Sequence, residues 1–208
     1  MTTYYWHFTP CDEQGIPRLG YNDGREVRVG ETLTVSGPLN ICKRGLHCSE
    51  RIIDALHYAE LRSTLSRVIP GGETQEGDNK LCAAERTPVV MLTQAQTDEL
   101  LRRFARWCAL SVAHLWEMPE VVRQFLKTGD ESLREQARRT AYAYAAAAYA
   151  DAAGLAHAAA AYAAAYAAAD AADDAAAAAA YAADAAARTK QEAELRRLWC
   201  EYTGEVLE

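Results

Sequence analysis

The densest run of chemically useful side chains is Cys42-Lys43-Arg44-Gly45-Leu46-His47-Cys48-Ser49. Two thiols and an imidazole around a glycine turn are the ligand types that zinc selects, and Cys82 with His57 could complete a set. The spacing does not repeat the paired C-x-x-C of structural zinc sites. The alternative is that Cys42, Cys48 and Cys82 are small buried hydrophobes and that His47 makes a structural hydrogen bond. No metal and no cofactor are expected, and no catalytic residue is assigned.

The same segment supports a second chemistry. Gly45-Leu46-His47-Cys48-Ser49, followed by Ala55 and Tyr58, resembles the G-Y-F-x-x … A-x-Y segment of ADP-ribosyltransferases. Glu85, after a strand, stands where that family carries a late glutamate. The resemblance implies a nucleotide-using enzyme. No counterpart of the family's first-strand motif is read in the chain, and the plainer reading of the segment is a capped amphipathic helix. No P-loop, GxSxG, HExxH or dinucleotide fingerprint occurs. Gly71–Asn79 reads as an acidic loop with no helix start, which argues against phosphate binding there.

The elements that must position these residues change character near Thr93. Before it, Tyr4–Thr9, Glu26–Val29, Thr32–Val35, Leu39–Cys42, Leu65–Ile69, Lys80–Ala84 and Val89–Leu92 read as strands between Gly and Asn turns. Ser49 is placed as the N-cap of a short helix carrying Ile52, Ile53 and Leu56, and Pro70–Asn79 as a polar turn. After it, Thr93-x-x-Gln96 is a capping box. Leu100, Leu101, Phe104, Trp107, Cys108, Val112 and Leu115 follow on one helical face. Pro119 suits the first turn of the next helix, which carries Val121, Val122, Phe125 and Leu126; Gly129 ends it, and Asp130 caps another. The expected fold is α+β: a small β-rich unit with one short helix (residues 1–92), then an all-α, alanine-rich antiparallel helical bundle (residues 93–208).

Of the 47 residues from Ala141 to Ala187, 33 are alanine, and most of the rest are Tyr or Asp. Alanine is the best helix former. One helix from Glu131 to Trp199 would be a rod of about 100 Å at 1.5 Å per residue. It would bury almost nothing, so breaks are expected near Gly154 and near Asp173-Asp174. Tyr162, Tyr166, Asp170 and Asp173/Asp174 fall on one stripe at helical spacing, and Tyr181 begins another. Together with Tyr149 they are candidates for a partner surface, because Tyr supplies contact area at low entropic cost. The alternative is a solvent-facing stripe on an alanine-packed helix.

The net charge of −7 argues against binding to nucleic-acid backbones or anionic membranes. The Asp side chains are too sparse to copy a phosphate spacing. No run is long and apolar enough for a membrane span, since alanine is weakly hydrophobic and the tract carries Asp. The first residues, MTTYYWHFTP, lack the charged and apolar regions of a signal peptide. The six cysteines are therefore expected to be reduced in a cytoplasmic protein.

The stretch from Cys42 to Ala59, then Leu65 to Leu92, resembles an uncharacterised bacterial and phage domain. Its marks are a G-[LF]-H-x-[SC] turn, a helix ending in Tyr, and a G-E…G-D-x-K-L-x-A strand pair. FARWCALSVAHLW (residues 104–116) and the alanine-rich run resemble the helical domain of immunity proteins of polymorphic toxin systems. In that domain the repeats carry Arg, His or Trp, where this chain carries Tyr and Asp. The resemblance implies a non-enzymatic factor that binds another protein, a toxin or a defence component, in bacterial or phage conflict. The ADP-ribosyltransferase-like reading is the alternative.

Overall fold

In a computed structural model of the chain, the described residues are 3–20, 23–41, 43–149, 155–169, 174, 175, 178 and 187–207. They form two compact units, Met1–Asp98 with Trp199–Glu208, and Glu99–Leu198.

The first unit is built on a five-stranded antiparallel sheet. Its strands are β1 (Tyr5–Pro10), β2 (Leu33–Thr34), β3 (Leu46–Cys48), β4 (Ser63–Glu76) and β5 (Leu81–Met91), with helix α1 (Ile52–Leu56) between β3 and β4. The order is β1-β4-β5-β2, and β3 pairs with β5 beside β2. Along the outer edge of β5, β3 matches Leu81–Ala83 and β2 matches Glu85 and Arg86.

The β4–β5 hairpin overturns part of the sequence reading. β4 does not stop at Pro70 but runs 14 residues, through Pro70-Gly71-Gly72, to Glu76. The reversal comes later, where the Gly77 N–H donates to the Lys80 carbonyl at 2.8 Å. The pairing register shifts between Gly71 and Thr74, so the glycine pair forms a bulge inside the strand rather than a turn. Gly72 supplies the positive φ of 66° that the bulge needs. Ser49 caps no helix; it bridges Trp6.

The second unit contains α2 from Glu99 onward (the helix runs Gln94–Ser111), α3 (Glu120–Thr128), α4 (Arg134–Tyr149), α5 (Leu155–Ala168) and α6 (Ala187–Thr203) up to Leu198. The first turn of α2 lies in the first unit, where Thr93 and Gln96 exchange the reciprocal bonds of a capping box. α3 ends on Gly129 at φ 69°, and Asp130 accepts the Ser132 N–H to start the next turn. α4 and α5 pack antiparallel: Tyr142 meets Tyr162 and Tyr166, while Arg134 Nη1 donates to the Ala168 carbonyl at 3.3 Å. Ala137, Ala141 and Ala145 form a buried α4 face at i, i+4 spacing, and Ala160, Ala161, Ala163, Ala164 and Ala165 are buried on α5. Methyl groups let the two backbones approach closely where larger side chains would hold them apart.

The expected fold class is therefore corrected. The chain is a mixed α/β protein with a five-stranded antiparallel sheet and, among the described residues, six helices. It is not a small one-helix β unit followed by a separate bundle. The last turn of α6 and the residues after it belong with the sheet. Trp199 is fully buried, edge-on to Trp6 at 4.9 Å, and its indole N–H donates to Glu205 at 2.8 Å. Glu205 pairs with Arg67 of β4 at 2.5 Å, and the Arg67 guanidinium lies over the Tyr4 ring. Removing the indole in Trp199→Ala is expected to cost about 3–5 kcal/mol. Denaturant unfolding checks this. A loss under about 1 kcal/mol, the range of ordinary surface substitutions, would show that the C-terminal segment is not part of the first unit's core.

Candidate functional site

β3 begins at a glycine that the geometry requires. Gly45 has φ 134°, and a Cβ there would collide with Cys82 Sγ on β5. The close approach lets β3 pair with β5, His47 opposite Cys82. At its far end the chain bridges to β1: the Trp6 N–H donates to the Ser49 carbonyl at 2.7 Å, and the Ser49 N–H returns a bond to the Trp6 carbonyl at 2.9 Å. The sheet thus closes on itself through β1, β4, β5 and β3. A cavity of about 250 Å³ opens at this closure.

Gly45, Leu46, His47, Cys48 and Ser49 all line the cavity, and so do Ala55 and Tyr58 from the segment that follows. β1 contributes Trp6, His7 and Phe8, and β5 contributes Arg86. Tyr58, 45% exposed, stands at the mouth. Its hydroxyl donates to Asn79 at 2.6 Å, and Lys80 Nζ lies 4.4 Å from its ring centre. Glu60 also lines the cavity and is exposed.

The deep wall is dominated by Arg86, which is 1% exposed. Its Nη1 donates to the His47 carbonyl at 2.6 Å. Burial pulls its pKa down to about 10, still well above neutrality, so the guanidinium stays charged. Burial also pushes both imidazoles toward the neutral form: His7 falls well below the usual histidine range, with Arg86 and His47 adding to the effect, and His47 is lowered as well. The Cys48 thiol is pushed up to about 12 by burial, so it is no thiolate nucleophile. Among the described residues no three His, Cys, Asp or Glu side chains come together as a metal site.

Glu85 does not join this cavity. Neighbouring residues on a strand point to opposite faces; Arg86 is buried, while Glu85 is exposed and lies over Gly71 and Gly72.

The chain is similar, over residues 21–100, to the family described as a domain of unknown function, DUF7666. That span holds β2 to β5 and most of the cavity wall, but not β1 with His7. No curated protein and no solved structure matches the chain significantly.

The tyrosine and aspartate candidates lie in the second unit, and some are brought together. Tyr162 and Tyr166 stack with ring centres 6.0 Å apart, and Tyr142 meets both edge-on at 6.0 and 6.3 Å. Asp174 is exposed and close enough to act on Tyr166, whose pKa is raised first by burial and then by Tyr142 and Asp174. Asp170, Asp173 and Tyr181 lie outside the described residues, as does the side chain of Tyr149.

Sequence reasoning missed His7 and Arg86. His7 stands out as a polar residue between Trp6 and Phe8, but nothing local places it beside His47, and Arg86 falls between the expected strands Lys80–Ala84 and Val89–Leu92, with Glu85 and Thr87 on either side. The neutrality of His7 has a consequence for stability. A histidine whose folded pKa is depressed binds its proton more readily when unfolded. Stability therefore falls as pH drops below about 6.5, the unfolded value, toward the folded one. The unfolding free energy is expected to fall between about pH 7 and about pH 5, and His7→Gln should remove part of that slope. Denaturant titrations of both proteins across the range check it. Identical slopes would show that the folded protein does not hold His7 neutral.

Proposed function

We propose that the cavity of the first unit is a binding site for a small nucleotide-type ligand. The observation that carries this reading is convergence. The segment that resembles the ADP-ribosyltransferase motif, Gly45 to Ser49 with Ala55 and Tyr58, lines one cavity together with His7 of the first strand. Its walls offer what such a ligand needs: an apolar floor from Trp6, Phe8 and Leu46, neutral imidazoles that can both donate and accept, and an aromatic ring at the mouth. Lys80 and Arg86 outweigh Glu60, so the cavity favours negative charge in a chain whose net charge is −7. A cytoplasmic location belongs to the proposal. The free thiols of Cys11, Cys48, Cys82, Cys108 and Cys200 support it. No described helix is long and apolar enough to cross a membrane.

Thermal unfolding with NAD⁺, ADP-ribose and AMP tests the reading. At a concentration 100 times its dissociation constant, a ligand stabilises the protein by about 2.7 kcal/mol. At least one is expected to raise the melting temperature of the wild type, and His47→Ala should lose the response. No shift with any of them at millimolar concentration overturns it.

A second reading, binding of a toxin or defence component by an immunity-type factor, is favoured by one observation in the other unit. The half-buried cluster of Tyr142, Tyr162 and Tyr166 is a rigid aromatic surface of the kind protein interfaces use. A central interface Tyr is worth about 2 kcal/mol on truncation. Tyr162→Ala with Tyr166→Ala is therefore expected to abolish association with a co-expressed partner while leaving the circular-dichroism helix signal intact. Full retention of binding by the double variant rules this reading out.

A further inference from the structure

Arg86 is a buried cation whose counter-ion is missing. Only Nη1 has a hydrogen-bond partner; Nε and Nη2 are buried and have none, and among the described residues no carboxylate pairs with the side chain. Burying a charge is expensive unless it is paired and hydrogen-bonded. The unpartnered nitrogens are not scattered. Nε and Nη2 form one edge of the guanidinium, the edge that offers two parallel N–H bonds to a pair of oxygens. Nη1 is tied to the His47 carbonyl, which fixes the plane of the group and leaves that edge as the one for a ligand. Arg86 is also deeper than the other charged lining residues: it is 1% exposed, whereas Glu60 is exposed and Lys80 is partly so.

We infer that the ligand of this cavity carries a compact oxyanion, a carboxylate or a phosphate monoester, that enters first and becomes the counter-ion of Arg86. The inference rests on the reading of the cavity as a small-molecule site and adds which end of the molecule is held and by what. The Nε/Nη2 edge is buried, so direct contact requires the atoms over it to move aside. The charge acts on the cavity without any such movement. A volume of about 250 Å³ suits one such head group with the ring or sugar attached to it. The two sources of the oxyanion, an organic acid and a nucleoside monophosphate, share this chemistry and separate in the test.

The experiment compares matched pairs of probes that differ only in the anion: benzoate with benzamide, and AMP with adenosine. Binding is followed by calorimetry and thermal unfolding on the wild type, Arg86→Lys and Arg86→Met. The anionic member of one pair is expected to bind roughly 10- to 100-fold tighter than its neutral partner, the worth of a charge-assisted paired contact. Arg86→Met should erase that difference, and Arg86→Lys, which keeps the charge but not the fork, should retain part of it. Without ligand, Arg86→Met is expected to melt no lower than the wild type, because it removes an uncompensated buried charge. Preference for benzoate assigns an organic acid, and preference for AMP a phosphate monoester.

Three results overturn the inference. Equal binding of neutral and anionic probes removes it while leaving the cavity a binding site. A marked drop in melting temperature for both Arg86→Met and Arg86→Lys in the absence of ligand makes the guanidinium a structural group. Silence of every probe on the wild type, with NAD⁺ and ADP-ribose silent too, removes the binding reading itself.

Discussion

The first unit depends on β3 reaching close enough to β5 to pair with it, and that rests on Gly45. Any side chain there would occupy the space of the Cys82 sulfur, and φ 134° is open to glycine at little cost. Once β3 is seated, Ser49 arrives opposite Trp6 and the sheet closes. α1 starts three residues after the bridge and buries Ile52, Ile53, Ala55 and Leu56. Closure does two things together. It seals apolar surface beneath Trp6, Phe8 and Leu46, and it turns His7, His47 and Arg86 toward a common space. The cavity is the gap left where a sheet too short to form a full barrel meets itself.

Electrostatics in that gap run against the rest of the molecule. The chain as a whole is acidic, and its exposed charges pair locally, as Arg138 and Arg139 do with Glu135. Such pairs contribute little, because solvent screens them. Arg86 is different: water does not screen it, and among the described residues no carboxylate pairs with it. The neighbouring imidazoles yield by staying neutral rather than adding charge. A core that keeps an uncompensated cation gives up stability at that position.

How much of this could be read from the sequence depends on which physical signal each element carries. The capping box at Thr93 and Gln96, the glycine stop at Gly129 and the Asp130 cap are local chemistry, written within four residues, and were legible. The β4 strand was not, because Pro70-Gly71-Gly72 is the same composition whether it makes a turn or a bulge. The choice is made by β5, which pairs with both sides of it. The candidate segment from Gly45 to Tyr58 was legible as a cluster of suitable residue types. Its partners His7 and Arg86 were not, since they lie about 40 residues away on either side of His47 and meet it only through sheet closure. In the tail, alanine's helical preference was plain, but the Tyr142 contribution to the aromatic cluster depends on α4 and α5 running antiparallel, which no single-helix wheel contains.

The placement of Glu85 limits what the cavity can do. Cleaving a glycosidic bond builds positive charge on the sugar ring, and enzymes that do so bring a carboxylate to bear on that charge. Here the carboxylate at the expected place faces the other side of β5, over Gly71 and Gly72, and the cavity wall presents a guanidinium instead. A fixed cation beside the reacting centre raises the energy of a cationic transition state and lowers that of a bound anion. A one-residue shift of β5 that brought Glu85 to the cavity would turn Arg86 out and break the pairing of β5 with β3 and β4 as well. If the cavity takes a small ligand as proposed, its charge favours holding an anionic molecule over cleaving one.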